Sequence, residues 1–387
     1  MILAVGIFVR VFPSTGYKRV GGDEYGYMVF LKQIEQVGLL RYDEMVASYV
    51  EAQYKRPDAI VPATRIAFLV PAHVVREALA LNPYEALRVT SCVSSILLLF
   101  LSAFFAYRLG GAVPMLGVTA LMATAPLQIY LAQRAFIDAY FALWATVALW
   151  LAWEIVSKPR RWPWIGAYTV SLVILVLTKE NAAFFVFALF ATLILLRLMK
   201  LRAVTPQLLL MTAIGPALAV LFLAWLVGGI SDWLQFYLMF VEKSRTNVYS
   251  IMAQDGPWYR YLIDFVILSP LVTVCACSRI FQIRKTEKAE IFFAFALAFS
   301  FMSMATVTYG MSLRYAAYWE LPLCWFAASQ LLRVSRSLSS VRPAILAVGL
   351  FLVVGSVGLS QYYRFFVEGE VYDPITSSLA QAANLQK

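Results

Sequence analysis

Charge is the scarcest commodity in this 387-residue chain: Asp, Glu, Lys and Arg together make up 14% of it. A soluble globular domain carries about 25%, so a water-exposed surface cannot be assembled around the whole chain. There are four cysteines and one histidine. Cys92, Cys275, Cys277 and Cys324 all lie within apolar segments, and Cys275 and Cys277 would point to different faces of a helix. They read as small packing residues, with neither a disulfide framework nor a zinc site indicated. His73, in the apolar run Val70-Pro71-Ala72-His73-Val74, has a structural and a general-base reading. Internal repeats and low-complexity tracts are not visible, and nothing basic precedes the first apolar stretch, so no cleavable leader is expected.

What fills the chain is apolar: 61% of residues are hydrophobic and 15% aromatic. The expected fold class is all-α, a polytopic transmembrane helix bundle. About eleven segments approach the length of a spanning helix: 1–12, 86–107, 112–130, 136–156, 163–177, 181–197, 207–229, 259–278, 290–309, 314–332 and 343–360. The first and the fifth are short.

The net charge of +10 is distributed by loop. Arg108; Lys158, Arg160 and Arg161; Arg197, Lys200 and Arg202; Arg279, Arg284, Lys285 and Lys288; and Arg333, Arg336 and Arg342 occupy alternate connections. The positive-inside rule places those on the cytoplasmic side. The basic excess therefore orients a multi-pass protein of a plasma or inner membrane and does not form a nucleic-acid surface. One membrane domain is expected over 1–360. Its opposite face carries a large first loop, 13–85, a second loop, 230–258, and a short outer tail, 361–387. Within the first loop, Tyr27, Phe30, Leu31, Ile34 and Val37 recur at helical spacing, as do Ile66, Phe68, Leu69, Val70, Val74 and Val75. Both runs suit helices lying on the membrane face.

The first loop opens with Gly21-Gly22-Asp23-Glu24-Tyr25. Adjacent carboxylates next to lipid need a reason. One is the capping of the helix that follows; the other is chemistry. Elsewhere on the same face, Arg134 and Asp138 stand four apart at the start of a span, where they would share a helix face. Lys179 and Glu180 fill a short turn, and Arg314 opens a later span with Glu320 deeper in it. Each has a bland reading as a local ion pair or polar turn. Together they gather acids and bases at one interface, a set able to bind a phosphate and activate a hydroxyl.

The order of these features resembles the GT-C superfamily of polyprenyl-phosphate-sugar-dependent glycosyltransferases, in the branch of protein O-mannosyltransferases and lipid A aminoarabinose transferase. The resemblance rests on Asp23-Glu24-Tyr25, Gly38, Lys55-Arg56-Pro57, Gln133-Arg134 through Asp138, Thr178-Lys179-Glu180, and Arg314-Tyr315 through Pro322, over roughly 1–335. The chain departs from that pattern in its short first span, in Asp58-Ala59-Ile60 after the basic-Pro stretch, and in the short tail. The resemblance implies transfer of a sugar from a polyprenyl-phosphate donor to a hydroxyl of a glycan, lipid or protein acceptor. The reaction would run on the non-cytoplasmic face of the cell-envelope membrane, with inversion. It implies Asp23 as catalytic base, with Glu24 and Asp138 beside it. Lys179, Arg314 and Arg56 are the candidates for the donor phosphate, and Arg134, Glu180 and Tyr25 for positioning substrate. No resident cofactor beyond the lipid-linked donor is implied. Some members hold a divalent metal and others do not; here Asp23 and Asp138 would be its ligands. A transporter or lipid-linked-glycan flippase is the alternative, marked by repeats, broken helices and mid-bilayer acids.

Overall fold

The computed structural model describes residues 1–12, 20–158, 162–338 and 341–384, and among them the chain is helical with no strand. Arg160 and Arg161 and the first residues of the 13–85 loop lie outside the described residues.

Helix α1 (Ile2–Val11) leads to a folded loop of three helices, α2 (Gly22–Val37), α3 (Tyr42–Lys55) and α4 (Ile66–Leu79). The apolar stripes expected on α2 and α4 are present, but they do not face lipid. Tyr27, Phe30, Leu31 and Ile34 of α2 pack against Phe68, Leu69 and Ala72 of α4 and Tyr42, Met45, Val46 and Tyr49 of α3. Helix α3, which carries the third stripe, includes polar residues that the sequence reading left without structure. Each large apolar side chain buried this way contributes about 1.5–3 kcal/mol, so the loop holds its own core.

Next come α5 (Pro83–Gly110), α6 (Ala112–Ala123), α7 (Pro126–Gln133), α8 (Asp138–Ser157), α9 (Trp162–Thr178), α10 (Ala182–Leu198) and α11 (Pro206–Val227). Their ends follow from local chemistry. Asn82 accepts from the Glu85 amide at 3.0 Å ahead of Pro83, and Thr205 does the same for Leu208 ahead of Pro206, which satisfies an orphan donor of each first turn. Gly228, at φ +115°, ends α11 in a backbone region that favours glycine. Helix α12 (Ile230–Arg245) and a π-turn at Ser250–Gln254 form the second loop, 230–258. Helices α13 (Arg260–Leu268), α14 (Pro270–Ile280), α15 (Lys288–Ala305), α16 (Glu320–Leu338) and α17 (Pro343–Tyr362) complete the bundle, and α18 (Thr376–Ala382) folds back onto α13. A 3-10 turn, Leu313–Trp319, precedes α16.

Among the described residues, five helices, α5, α8, α11, α15 and α17 with its π-helical extension to Glu368, are long and apolar enough to cross a membrane. The α6–α7 pair makes six if its 56° bend is one span. That is fewer than the eleven expected; α1, α9, α10 and α14 are apolar but shorter. Segments 112–130 and 259–278 are not continuous spans either. A proline lacks the backbone N–H and is tolerated best at the first position of a helix, and Pro126 and Pro270 each start a new helix there.

Both breaks are closed by protein groups, as backbone in an apolar medium requires. The buried Arg10 donates to the carbonyls of Met122 at 2.8 Å and Ala123 at 3.2 Å, and to Ser95 Oγ at 2.9 Å. Thr273 Oγ1 donates to the Phe265 carbonyl at 3.1 Å and, as one of two acceptors, to Ser269 at 2.9 Å. Arg10→Leu should therefore destabilise the fold by more than a surface change: each carbonyl left unmade costs about 1–3 kcal/mol. Thermal unfolding in detergent checks this; a melting temperature equal to that of the parent would refute it.

Candidate functional site

A cavity of about 970 Å³ opens on the side of the folded first loop. Its walls come from the start of α2, the turn between α9 and α10, α12, the π-turn at Ser250–Gln254, the 3-10 turn before α16 and the 370–373 segment. Asp23, Arg65, Arg134, Lys179, Glu180, Arg314 and Asp373 line it.

The tandem acids at the start of α2 divide their labour. Glu24 is wholly buried, with 0% of its side chain exposed, and lies outside the cavity lining. Its carboxylate accepts from Gly21 N at 2.8 Å, satisfying the N-cap amide of α2. It also accepts from Ala135 N at 3.0 Å and takes a bidentate pair from Arg134, with Nε–Oε1 at 2.9 Å. Such fork-to-fork pairs are geometrically specific. Glu24 and Arg134 thus fasten the loop to the α7–α8 junction. Asp23, one residue earlier, is 38% exposed and faces the cavity.

Arg134 and Asp138 do not share a helix face. The backbone at Arg134 is extended, at φ −112° and ψ 162°, which ends α7 and turns the two side chains to different partners. Asp138 begins α8 and is 2% exposed; Lys179 Nζ donates to its Oδ1 at 2.6 Å. Lys179 also lies 3.9 Å from the Tyr315 ring centroid. Arg314, 3% exposed, stands at the centre of the cluster. Its Nη1 is 3.0 Å from Asp23 Oδ2 and 3.9 Å from Asp138 Oδ2, and its Nε is 3.4 Å from Asp373 Oδ1.

Arg65, on the loop before α4, binds Glu180 (Nη2–Oε2 2.8 Å) and donates to the Tyr27 hydroxyl. Its position along the sequence gave no sign of this; neither did that of Asp373, which lies in the tail. Arg56, by contrast, is exposed and outside the lining, its carbonyl accepting from Lys243 Nζ at 2.6 Å. Arg65 occupies the place in the cluster expected of Arg56. Tyr25 is exposed on the far side of α2. His73 lies outside the lining, 4.0 Å from Glu77 on its own helix.

Glu320 is also apart from this cavity. It is buried beside a pocket of about 20 Å³ at the α6–α7 and α13–α14 breaks.

The electrostatics favour an ionised Asp23. Burial pushes its carboxyl up, but Arg314, Arg65 and Lys179 more than offset that and hold it below the ordinary carboxylate range. Burial likewise opposes ionisation of Glu180, and Arg65 reverses it. Asp23 and Asp138 do not suit a divalent cation as they stand. Each is paired with a cation, Asp23 with Arg314 and Asp138 with Lys179, and no group of three acid, cysteine or histidine side chains placed to hold a metal is present among the described residues.

The Glu24 anchor has a testable consequence. Glu24→Gln should cost about 3–5 kcal/mol of stability, because it breaks a buried, bidentate ion pair. Thermal unfolding reads that directly; a shift no larger than that of an exposed Glu→Gln control would remove the anchor role.

The helical bundle, with its folded first loop and a polar cavity beneath it, shares its overall fold with solved structures of two other proteins. ArnT from Cupriavidus metallidurans in the apo state is similar at 17% identity and TM-score 0.54, over 87% of this chain and 60% of that one. The same protein bound to undecaprenyl phosphate is similar at 15% identity and TM-score 0.53, over 99% of this chain and 74% of that one. The archaeal oligosaccharyltransferase AglB from Archaeoglobus fulgidus, in complex with an inhibitory peptide and a dolichol-phosphate, is similar at 11% identity and TM-score 0.61. That match takes in 99% of this chain and 55% of AglB, so the present chain spans about half the oligosaccharyltransferase and 60% of apo ArnT. No family model matches the sequence, and no curated protein matches it.

Proposed function

We propose that this protein is an integral membrane glycosyltransferase that moves a sugar from a polyprenyl-phosphate donor to a hydroxyl acceptor. The observation that carries the reading is Asp23: an ionised, partly exposed carboxylate at the mouth of a cavity whose floor is cationic. The fold neighbours support the donor class, since one is bound to undecaprenyl phosphate and another to a dolichol-phosphate. One of them also carries a peptide, so the acceptor here stays a glycan, a lipid or a protein.

In the proposed reaction the acceptor O–H gives its proton to an Asp23 oxygen as its own oxygen attacks the anomeric carbon. The bond from that carbon to the phosphate oxygen breaks, and its electron pair leaves with polyprenyl phosphate. Attack opposite the leaving group inverts the anomeric centre. Charge growing on the phosphate is stabilised by cations already in place; Arg314, Lys179 and Arg65 fill that role. Asp138 holds Lys179, and Glu180 holds Arg65. The reading takes the cavity to open on the non-cytoplasmic face, supported by the basic connections that the positive-inside rule assigns to the cytoplasmic side.

The experiment is transfer from a radiolabelled polyprenyl-phosphate sugar by the purified protein in nanodiscs, with release of polyprenyl phosphate as the acceptor-independent readout. No turnover of any such donor would sink the proposal. Lys179→Ala is expected to raise the donor KM at least tenfold. An unchanged donor dependence would strip Lys179 of its phosphate role.

A further inference from the structure

Asp373 sits among the cationic cluster although it comes from the segment that follows α17. That segment is tied down at several points. The Leu313 amide donates to the Pro374 carbonyl at 3.2 Å, the Tyr130 hydroxyl to the Tyr372 carbonyl, and Thr376 Oγ1 to Asp264 Oδ1 at 2.6 Å. The result is a strap across one end of the cavity, which it lines with Glu370, Tyr372 and Asp373. Asp373 is 3% exposed and richly bonded: it accepts from Ser312 Oγ at 2.5 Å, Gln254 Nε2 at 2.6 Å and the Tyr249 hydroxyl at 3.3 Å. Its Oδ1 is 3.4 Å from Arg314 Nε, and Ser312 Oγ accepts from that same Nε at 3.4 Å.

A guanidinium is a rigid planar fork. Holding its Nε edge fixes where its Nη edge points, and here that edge faces Asp23 and Asp138. We infer that Asp373 is a positioning residue, which holds Arg314 by its Nε edge so that its Nη edge is presented to Asp23 and to the donor phosphate. The inference rests on the glycosyltransferase reading and extends it: it assigns the strap a part in turnover through the one arginine that touches both the proposed base and the phosphate site. Charge separates this role from a structural one. Losing an anion near the phosphate site strengthens phosphate binding by simple Coulomb attraction, whereas loosening the strap weakens it.

The test is Asp373→Asn, which keeps the shape and removes the charge, with Asp373→Glu and Thr376→Val beside it. With a polyprenyl-phosphate sugar as donor, Asp373→Asn should lower kcat at least tenfold with a donor KM no higher than the parent's. Asp373→Glu should recover part of kcat, and Thr376→Val, which cuts only the outer tie, should stay within twofold of the parent. An Asp373→Asn kcat within twofold of the parent overturns the inference. So does a loss that comes with a raised donor KM and a lower melting temperature shared by Thr376→Val, since that is a strap acting only as structure. If the parent itself turns over no donor, it is the glycosyltransferase proposal that fails, and the two failures cannot be confused.

Discussion

Asp23→Asn is expected to reduce sugar transfer by about 10³-fold, within the range that a positioned general base contributes, with little change in stability. The amide keeps the shape of the side chain but cannot take a proton from the acceptor hydroxyl. The fold should survive because Asp23 is partly exposed and Arg314 retains Asp373 at 3.4 Å and Asp138 at 3.9 Å. The pH dependence provides a second check. Although burial alone would raise the Asp23 pKa, Arg314 and its neighbours bring it below the ordinary value, so the carboxylate stays charged as pH falls through about 4. The acid limb of kcat/KM for the donor, which reports the free enzyme, should then lie below that value. The same shift has a stability sign: the ion pair stabilises the fold above the unfolded pKa and is lost as pH falls through the depressed one. Transfer by Asp23→Asn within a few-fold of the parent would remove Asp23 as the base, and an acid limb near 6 would point to another group.

Arg314→Ala is expected to be the most damaging single change, because Arg314 serves both the chemistry and the fold. As a cation beside the leaving phosphate it should be worth about 10²–10³ in kcat, the scale seen when one preorganised charge-stabilising donor is lost. It is also the counter-charge that Asp23, Asp138 and Asp373 share. Removing one partner of a buried pair costs about 3–5 kcal/mol, so melting temperature and rate should both fall. Arg314→Lys separates the two effects: it keeps the charge and much of the stability but lacks the planar fork that meets Asp373 and the cavity at once, so kcat should stay low. Full activity in Arg314→Lys would show that only charge matters there. Wild-type rates in Arg314→Ala would exclude it from the phosphate site.

The general architecture was legible in the sequence for a simple reason. Hydropathy and loop charge are summed over many residues, and lipid leaves the backbone little choice but helices. The stripes on α2 and α4 were legible too, though not their destination: three stripes close on one another instead of on lipid. The helix breaks at Pro126 and Pro270 were written in the residues, yet they fell inside segments whose apolar average concealed them.

The site was legible only in part. Asp23, Lys179, Glu180 and Arg314 could be singled out because charge beside an apolar run is scarce and conspicuous. Asp373 could not, because it sits in a polar stretch where one more charge carries no signal; Arg65, the only Asp, Glu, Lys or Arg in 59–75, offers that signal, but nothing in its position names Glu180 as its partner. Composition and spacing did not separate Asp23 from Glu24, both carboxylates at the start of a helix; only the resemblance put Asp23 forward as the base. The direction in which each side chain leaves the first turn decides that one accepts from Gly21, Ala135 and Arg134 while its neighbour faces the cavity. Composition, then, determined by itself that the chain is a helical membrane protein with a polar outer face, because burial energy depends on totals. Tertiary structure decided which charges meet, because ion pairing acts over a few ångströms between residues as far apart in the chain as Asp23, Arg314 and Asp373.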